Sequence, residues 1–130
     1  MRMWLVNPEK MCQKHLCGEH LELHMFTGTI KKGKKIDGYL KNNLLQPRYL
    51  IMRHEELKNE MIKRGYNHKS EMNHKDCMCV LDLTIEQQYW EIDKDMALKD
   101  LLDRCPECRS RFNYGGSGKN RTCNEGKYPR

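Results

Sequence analysis

The sequence predicts a single, mainly α-helical domain with about three helices, long connecting loops and a flexible basic tail. A length of 130 residues is typical of one domain with one hydrophobic core. Apolar residues recur at helical spacing in three segments, and residues that favour helix starts or stops flank these segments. Beyond residue 112 this periodicity ends, and glycine and basic residues become frequent. We therefore predict a compact helical domain at residues 1–112 and the tail at residues 113–130.

The first predicted helix begins at Asn7, a residue type that favours the N-cap, with Pro8 at the first helical position. The helical pattern continues to Ile30, and Gly33 ends it. The sequence Lys-Lys-Gly-Lys-Lys at residues 31–35 follows as a basic loop. This loop opens the linker to the second helix.

The two remaining predicted helices are also marked by proline, glycine and aspartate. A Gln-Pro pair opens the second helix, which covers residues 46–64 and has Gly65 as its C-cap. Asp95 caps the third helix, and Pro106 limits it because proline cannot continue a helix. Between these helices, the alternation of apolar and polar residues at 80–85 predicts a short strand.

The net charge of +6 is distributed unevenly along the chain. Residues 30–53 hold seven Lys/Arg against one acid, a net of +6, and residues 76–103 hold eight acids against two lysines, a net of −6. Residues 105–130 hold six basic residues against two acids, a net of +4. This pattern favours basic surfaces that face a polyanion, with an acidic stretch turned away. The alternative is an ordinary solvated surface.

The sequence predicts neither a membrane-spanning nor a secreted protein. No apolar run approaches the roughly 18–20 residues that a membrane helix needs. The apolar stretch that follows Met1 is too short for a secretory signal peptide. Seven cysteines, an odd number, then indicate reduced thiols in an intracellular compartment.

Three polar side chains lie beside the apolar face of the first predicted helix. His15, Glu19 and Glu22 follow at i, i+4 and i+7, so they share one edge of that face. Carboxylates beside a core are costly unless they are paired or hydrogen-bonded. One interpretation is an ion-pair network with basic residues of the second helix such as Arg53 and Arg64. The other is an active site.

The length of the segment before the first helix bears on the interpretation of these residues as an active site. Met1 to Asn7 forms an extended arm of about 20 Å, and the helix rises about 21 Å from Pro8 to Glu22. If the arm folds back along the helix, the Met1 α-amine lies beside Glu22. An α-amine has a pKa of about 8, so part of it is unprotonated at neutral pH. Such an amine is a nucleophile of the Schiff-base kind.

Three segments in residues 1–67 together resemble the pyrimidine-dimer DNA glycosylase family. The resemblance rests on their order and spacing, since no single segment is specific. The segments are Met1-Arg2 to Leu5-Val6 in the arm, His15-Leu16 with Glu19 and Glu22-Leu23 in the first helix, and Arg53, Glu56-Leu57, Glu60 and Lys63-Arg64-Gly65-Tyr66-Asn67 in the second.

This resemblance implies a compact helical DNA repair enzyme that removes the base at a cyclobutane pyrimidine dimer and then nicks the strand. In this family the α-amine of the first residue attacks C1′, and the essential glutamate lies 21 positions later. Those positions are Met1 and Glu22, and the large Arg2 implies that the initiator methionine is retained. Glu22 would stabilise the cationic sugar and assist β-elimination. Arg2 would hold a phosphate or the lesion strand, and His15 and Glu19 would support the site.

The resemblance also implies DNA as the binding partner, but it does not decide which DNA lesion is the substrate. We expect a monomer that binds damaged double-stranded DNA, needs no cofactor, and is associated with DNA in the cytoplasm of a bacterium or a virus-infected cell. Leu21 and Met25 stand where the family motif carries arginines, so an abasic site or another damaged base is an alternative substrate. Basic residues predicted to contact DNA are Lys31, Lys32, Lys34, Lys35 and Arg64.

A Cys-x-x-Cys motif at Cys105 and Cys108 supports a further hypothesis. Such a pair is half of a structural zinc site, while a redox pair, an iron–sulfur ligand set and ordinary thiols are alternatives. A zinc-stabilised, non-enzymatic nucleic-acid-binding module is therefore the alternative to the enzyme. The candidates for the second half of the zinc site are Cys77, Cys79, His68, His74 and Cys123.

Overall fold

A computed structural model describes residues 1–72 and 74–113 of the chain, without the side chains of His74 and Cys77. These residues are mainly helical and contain no strand, which confirms the predicted fold class. Short 3₁₀ turns cover Pro8–Lys10, Pro47–Tyr49 and Met78–Asp82. The α-helices are α1 (Gln13–Lys31), α2 (Asp37–Lys41), α3 (Leu50–Lys63), α4 (His74–Cys77), α5 (Ile85–Gln88), α6 (Lys94–Arg104) and α7 (Pro106–Asn113).

The predicted first helix is interrupted near its start. Asn7 caps only the 3₁₀ turn, where its side chain accepts a hydrogen bond of 3.0 Å from the Glu9 backbone N–H. Met11 and Cys12 then adopt extended backbone before α1 begins. Both side chains are fully buried, so the break allows the two consecutive residues to face the core.

The second predicted helix is confirmed, and the linker before it contains a helix that the sequence did not predict. Gly65 follows α3 with a φ of 85°, the left-handed conformation that glycine adopts readily at a helix end. α2 lies in the linker between α1 and α3, where only a loop was expected. Its length of five residues is too short for a periodic apolar pattern.

Two predictions for the region after α3 are wrong. The strand predicted at residues 80–85 is instead the end of a 3₁₀ turn followed by a capped helix. The third predicted helix starts at Asp93, whose carboxylate accepts from the Met96 N–H at 3.1 Å, and not at Asp95. Pro106 ends that helix and also begins α7, because a proline is well accommodated in a first helical turn.

The core lies between α1 and α3, and both ends of the described chain pack onto it. The N-terminal arm is largely buried, with Met3 completely covered, and the Met3 N–H donates to the Leu44 carbonyl at 2.7 Å. None of the helices in the described ranges is long and apolar enough to cross a membrane. Most of the predicted tail, residues 114–130, lies outside the described residues, whereas Asn113 belongs to α7.

A buried ion pair joins α1 to α3. The Arg53 guanidinium donates to both oxygens of Glu19, from Nε at 2.7 Å and from Nη2 at 2.9 Å. The Glu19 side chain is 0% exposed and that of Arg53 is 2% exposed. Arg53 also donates to Glu56 at 2.9 Å. Hydrogen bonds thus satisfy both buried charges.

Replacing Glu19 with glutamine is expected to destabilise the fold strongly, because it leaves Arg53 buried without its main counter-charge. Breaking one side of such a pair costs about 3–5 kcal/mol. The matched control is Glu9→Gln, which breaks an exposed pair with Lys63 at 3.0 Å and should cost about 1 kcal/mol or less. Urea denaturation of the three proteins measures both effects. Equal midpoints for the two variants would show that the buried pair is not a main stabilising contact.

Candidate active site

The N-terminal arm folds back along α1 and ends beside Glu22. The backbone N–H of Arg2 donates a hydrogen bond of 2.7 Å to Glu22 Oε1. Because one residue spans at most about 3.6 Å, the Met1 nitrogen lies within roughly 6.3 Å of the same carboxylate oxygen. The spacing argument from the sequence therefore describes the path of the arm correctly.

Met1 and Glu22 share a cleft of about 440 Å³. Its walls come from the arm, from α1, from the end of the linker and from the end of α6. A cleft of this size is typical of sites that hold small ligands or single groups of larger ones. The residues that line it are Met1, Arg2, Trp4, Lys14, His15, Gly18, Glu19, Glu22, Leu44 and Arg104.

The two glutamates of the predicted polar stripe have different surroundings. Glu19 is the buried partner of Arg53, as the ion-pair interpretation expected. Glu22 is half-buried, and one of its oxygens is held by the arm. Among the residues of the stripe, Glu22 is therefore the carboxylate that the arm approaches.

Arg2 presents hydrogen-bond donors that the described residues do not use. Its guanidinium lies 3.8 Å from the centre of the Trp4 ring, and Nη1 is 3.5 Å from Asp100 Oδ2. Nε and Nη2 are buried and have no hydrogen-bond partner among the described residues. Burial lowers the pKa of Arg2, and the contact with Asp100 opposes this shift. Such an arginine can receive an anion such as phosphate.

Five residues of the cleft wall were not singled out from the sequence, and three of them carry an aromatic ring or a positive charge. Trp4 is buried next to His15, with ring centres 5.6 Å apart, and Arg104 lies 6.0 Å from the Trp4 ring. Lys14 is exposed at the first turn of α1. Trp4 could be suspected from its position in the arm. No sequence pattern indicated that Arg104 belongs to the cleft, because it is 82 residues from Glu22 in the sequence.

Below the cleft, four potential metal ligands converge in what we call the Cys/His cluster: Cys12, His15, Cys105 and Cys108. All four ligand atoms lie within 4.8 Å of one another. The Cys-x-x-Cys motif therefore does meet a second pair, but that pair lies at the start of α1. Sequence reasoning missed it because Cys12 fits the apolar pattern and is 93 residues from Cys105.

The partners predicted for the Cys-x-x-Cys motif lie elsewhere or outside the described residues. The Cys79 thiol contacts the Thr27 carbonyl at 3.7 Å, and His68 belongs to a separate group of histidines. The selection of Cys79 and His68 is therefore corrected: α7 packs against the N-terminal turn rather than against these residues. Among the predicted partners, the side chains of Cys77, His74 and Cys123 lie outside the part of the chain that the structure describes.

A histidine cluster, consisting of His20, His54 and His68, joins α1, α3 and the following loop. His20 Nε2 lies 3.0 Å from His54 Nε2 and 2.9 Å from His68 Nε2. These nitrogens form a second group that could hold a metal ion. Burial lowers the pKa of His68 and of the neighbouring His24. The neutral forms of His68 and His24 are thus favoured.

The basic residues predicted to contact DNA divide into two kinds. Lysines 31, 32, 34 and 35 are exposed around the end of α1, and Lys31 is nine residues from Glu22, or roughly 13 Å along the helix. Arg64 instead donates to Glu60 at 2.7 Å and to the Met11 carbonyl at 2.7 Å. Arg64 therefore anchors the N-terminal segment to α3.

A protein-family model described as pyrimidine dimer DNA glycosylase matches residues 1–74 of the chain. This match covers more than half of the sequence and includes the arm, α1, α2 and α3. Met1, Arg2 and Glu22 lie inside the matched segment, whereas Arg104, α6 and α7 lie beyond it. No significant match was found among curated proteins or among solved structures.

Proposed function

The chain belongs to the pyrimidine dimer DNA glycosylase family, and from this premise we propose that it excises a damaged base and then cleaves the DNA strand as a lyase. Family membership supports a role in DNA repair. The observation that supports the bifunctional mechanism is the hydrogen bond of 2.7 Å from Arg2 N to Glu22. This bond holds the beginning of the arm next to a carboxylate inside a cleft.

The Met1 α-amine is the proposed nucleophile. Its lone pair forms a bond to C1′ of the damaged nucleotide, and the glycosidic bond breaks with its electron pair on the departing base, which is then protonated. Loss of the amine proton and opening of the sugar, with protonation of O4′, give an imine between Met1 and C1′. Removal of a 2′ proton then forms a C2′–C3′ double bond as the 3′ phosphate leaves with the electron pair of the C3′–O bond.

Glu22 is proposed to act at two points of this sequence. Its negative charge stabilises the cationic sugar as the glycosidic bond breaks, and later the protonated imine. A carboxylate within reach of C2′ can also accept the proton that β-elimination removes. Both roles depend on a charge that has no ion-pair partner among the described residues, which distinguishes Glu22 from Glu19, whose charge is neutralised by Arg53.

The basic residues of the cleft are proposed to hold the lesion strand. Arg2 has two donors that the described part of the chain leaves unused, and Lys14 and Arg104 add positive charge to the same walls. The cleft has about 440 Å³ for an extruded nucleotide. The exposed lysines of residues 31–35 are proposed to contact phosphates farther along the duplex.

Borohydride reduction should trap a covalent complex between the protein and abasic DNA, because reduction converts the imine to a stable amine. Peptide mass spectrometry should locate the adduct at the Met1 nitrogen. Lys14 lines the same cleft, so Lys14→Gln is the matched control and should still be trapped.

An adduct at Lys14 would assign the nucleophile to a side chain and contradict the Met1 mechanism. A folded, DNA-binding protein that gives no adduct on abasic DNA would favour the non-enzymatic, zinc-stabilised module. Comparison of UV-irradiated and abasic substrates tests separately which lesion the protein acts on. Cleavage of the glycosidic bond only at dimers supports dimer specificity.

A further inference from the structure

We infer that the Cys/His cluster is a structural zinc site, in which Cys12, His15, Cys105 and Cys108 bind one Zn²⁺ and fasten α6 and α7 to the start of α1. This inference does not depend on the proposed reaction, which needs no metal. It concerns how the wall of the cleft is held in position.

The spacing of the ligand atoms matches a tetrahedral zinc site. Zinc–sulfur bonds of about 2.3 Å and zinc–nitrogen bonds of about 2.0–2.1 Å place two sulfurs roughly 3.8 Å apart, and a sulfur and a nitrogen roughly 3.6 Å apart. The Cys12 and Cys105 sulfurs are 3.8 Å apart. His15 Nδ1 lies 3.3 Å from the Cys12 sulfur and 3.7 Å from the Cys108 sulfur.

The backbone around the cluster supplies donors to the sulfurs. The Cys12 N–H points at the Cys108 sulfur at 3.3 Å, and the Cys108 N–H points at the Cys105 sulfur at 3.4 Å. Hydrogen bonds of this kind orient ligand atoms around a bound metal ion. Thiols buried only as apolar side chains have no need of these donors.

The local sequence brings two pairs of ligands together with the spacing of zinc sites. Cys12-x-x-His15 begins α1 and Cys105-x-x-Cys108 begins α7, so each pair spans one helical turn. Cys12 and Cys108 are 0% exposed and Cys105 is 3% exposed. Four protein ligands fill the tetrahedral positions of a zinc ion and leave none for a water molecule, which is typical of a structural rather than a catalytic zinc ion.

The charge of the bound site is compatible with its surroundings. Three thiolates, one neutral imidazole and Zn²⁺ sum to −1. Arg111 lies one turn after Cys108 on α7 and is largely buried, with Nε lacking a hydrogen-bond partner among the described residues. A buried guanidinium near a site of net charge −1 is stabilised by that charge.

The site would connect directly to the cleft. His15 lines the cleft next to Trp4, and Arg104 directly precedes Cys105. Binding one ion would therefore fix the ring of His15 and the position of Arg104 together. The four residues come from both ends of the described domain, so the ion acts as a cross-link across more than 90 residues of chain.

Metal analysis of the full chain tests this inference. Protein expressed in zinc-containing medium and purified without chelators should carry about one zinc per chain. Exchange with Co²⁺ should give the intense visible bands of tetrahedral cobalt and a near-ultraviolet thiolate-to-cobalt charge-transfer band. Removal of the metal with a chelator should lower the melting temperature, and added zinc should restore it.

Variants distinguish the Cys/His cluster from the histidine cluster. Cys108→Ser should bind zinc at least about 100-fold more weakly, whereas Cys17→Ser, at a buried cysteine of α1 outside the cluster, should keep it. His54→Gln in the histidine cluster should also keep the zinc and the charge-transfer band. If Cys108→Ser does not fold, the cobalt spectrum of the unaltered chain still shows which cluster binds the metal. A thiolate-to-cobalt band requires cysteine ligands, and the three imidazoles of the histidine cluster cannot produce it.

Three outcomes would overturn the zinc site. The first is metal-free protein that neither takes up Co²⁺ with a thiolate band nor changes its melting temperature with zinc. The second is zinc that persists in Cys108→Ser but disappears in His54→Gln, which would assign the ion to the histidine cluster. The third is iron with sulfide in the purified protein, which would make the cysteines ligands of an iron–sulfur cluster.

Discussion

Replacing Glu22 with glutamine is expected to abolish base excision while the fold and the affinity for DNA remain. The amide has nearly the shape of the carboxylate, and its oxygen can still accept the 2.7 Å hydrogen bond from the Arg2 N–H. What it lacks is the negative charge that stabilises the cationic sugar in the proposed mechanism. Loss of a main electrostatic stabiliser costs about 10²–10³-fold in rate, and loss of the proton acceptor for β-elimination adds to this.

The measurement is glycosidic-bond cleavage, followed as alkali-labile sites, and strand nicking on UV-irradiated plasmid, together with a gel-shift titration. Glu91→Gln, at an exposed glutamate away from the cleft, is the matched control and should behave like the unaltered protein. Oligonucleotides with a preformed abasic site separate the two steps, because they bypass excision. Unchanged turnover by Glu22→Gln on both substrates would remove Glu22 from the mechanism.

Adding residues before Met1 is expected to eliminate both chemical steps and to leave DNA binding almost unchanged. An extension converts the α-amine into an amide, whose nitrogen has no lone pair available to attack C1′. It must also pass through the cleft, since Met1 lies on its wall. Loss of the nucleophile should lower the rate by at least about 10³-fold. The exposed lysines of residues 31–35 are unaffected, so salt-dependent affinity should persist.

The experiment uses a cleavable extension whose removal leaves Met1 as the first residue. Activity should be absent before cleavage and present afterwards in the same preparation. A chain with the same extra residues after Arg130 is the matched control and should nick normally. Full activity of the uncleaved protein would show that the nucleophile is not the N-terminal amine.

Local signals explain which parts of the fold could be predicted. The second helix was found because a proline and a glycine mark its two ends, and both act through their own backbone preferences. The path of the arm followed from two lengths along the chain, and the Arg2–Glu22 bond agrees with it. Pro106 shows the limit of such signals. A proline ends one helix or begins another, and the eight residues of α7 are too few to reveal which.

The parts of the site that escaped prediction depend on distant segments. Glu19 and Glu22 are three residues apart with similar patterns, and only the position of Arg53 on α3 gives them different surroundings. Cys12 and Cys105 meet although 93 residues separate them. One sequence, read alone, contains local propensities and periods, but no record of which remote element covers which face.

The pairing of both ends of the domain has a consequence for the order of folding. Contacts that complete the cleft wall and the cluster below it have sequence separations of 98 for Arg2 with Asp100 and 96 for Cys12 with Cys108. Such distant pairs close large loops and form late, whereas the nearer α1 and α3 can associate first. An intermediate that contains only the α1–α3 pair would already carry Glu22 yet lack one wall of its cleft. We therefore expect the complete cleft, which the proposed chemistry needs, to form only in the last folding step, when α6 and α7 dock.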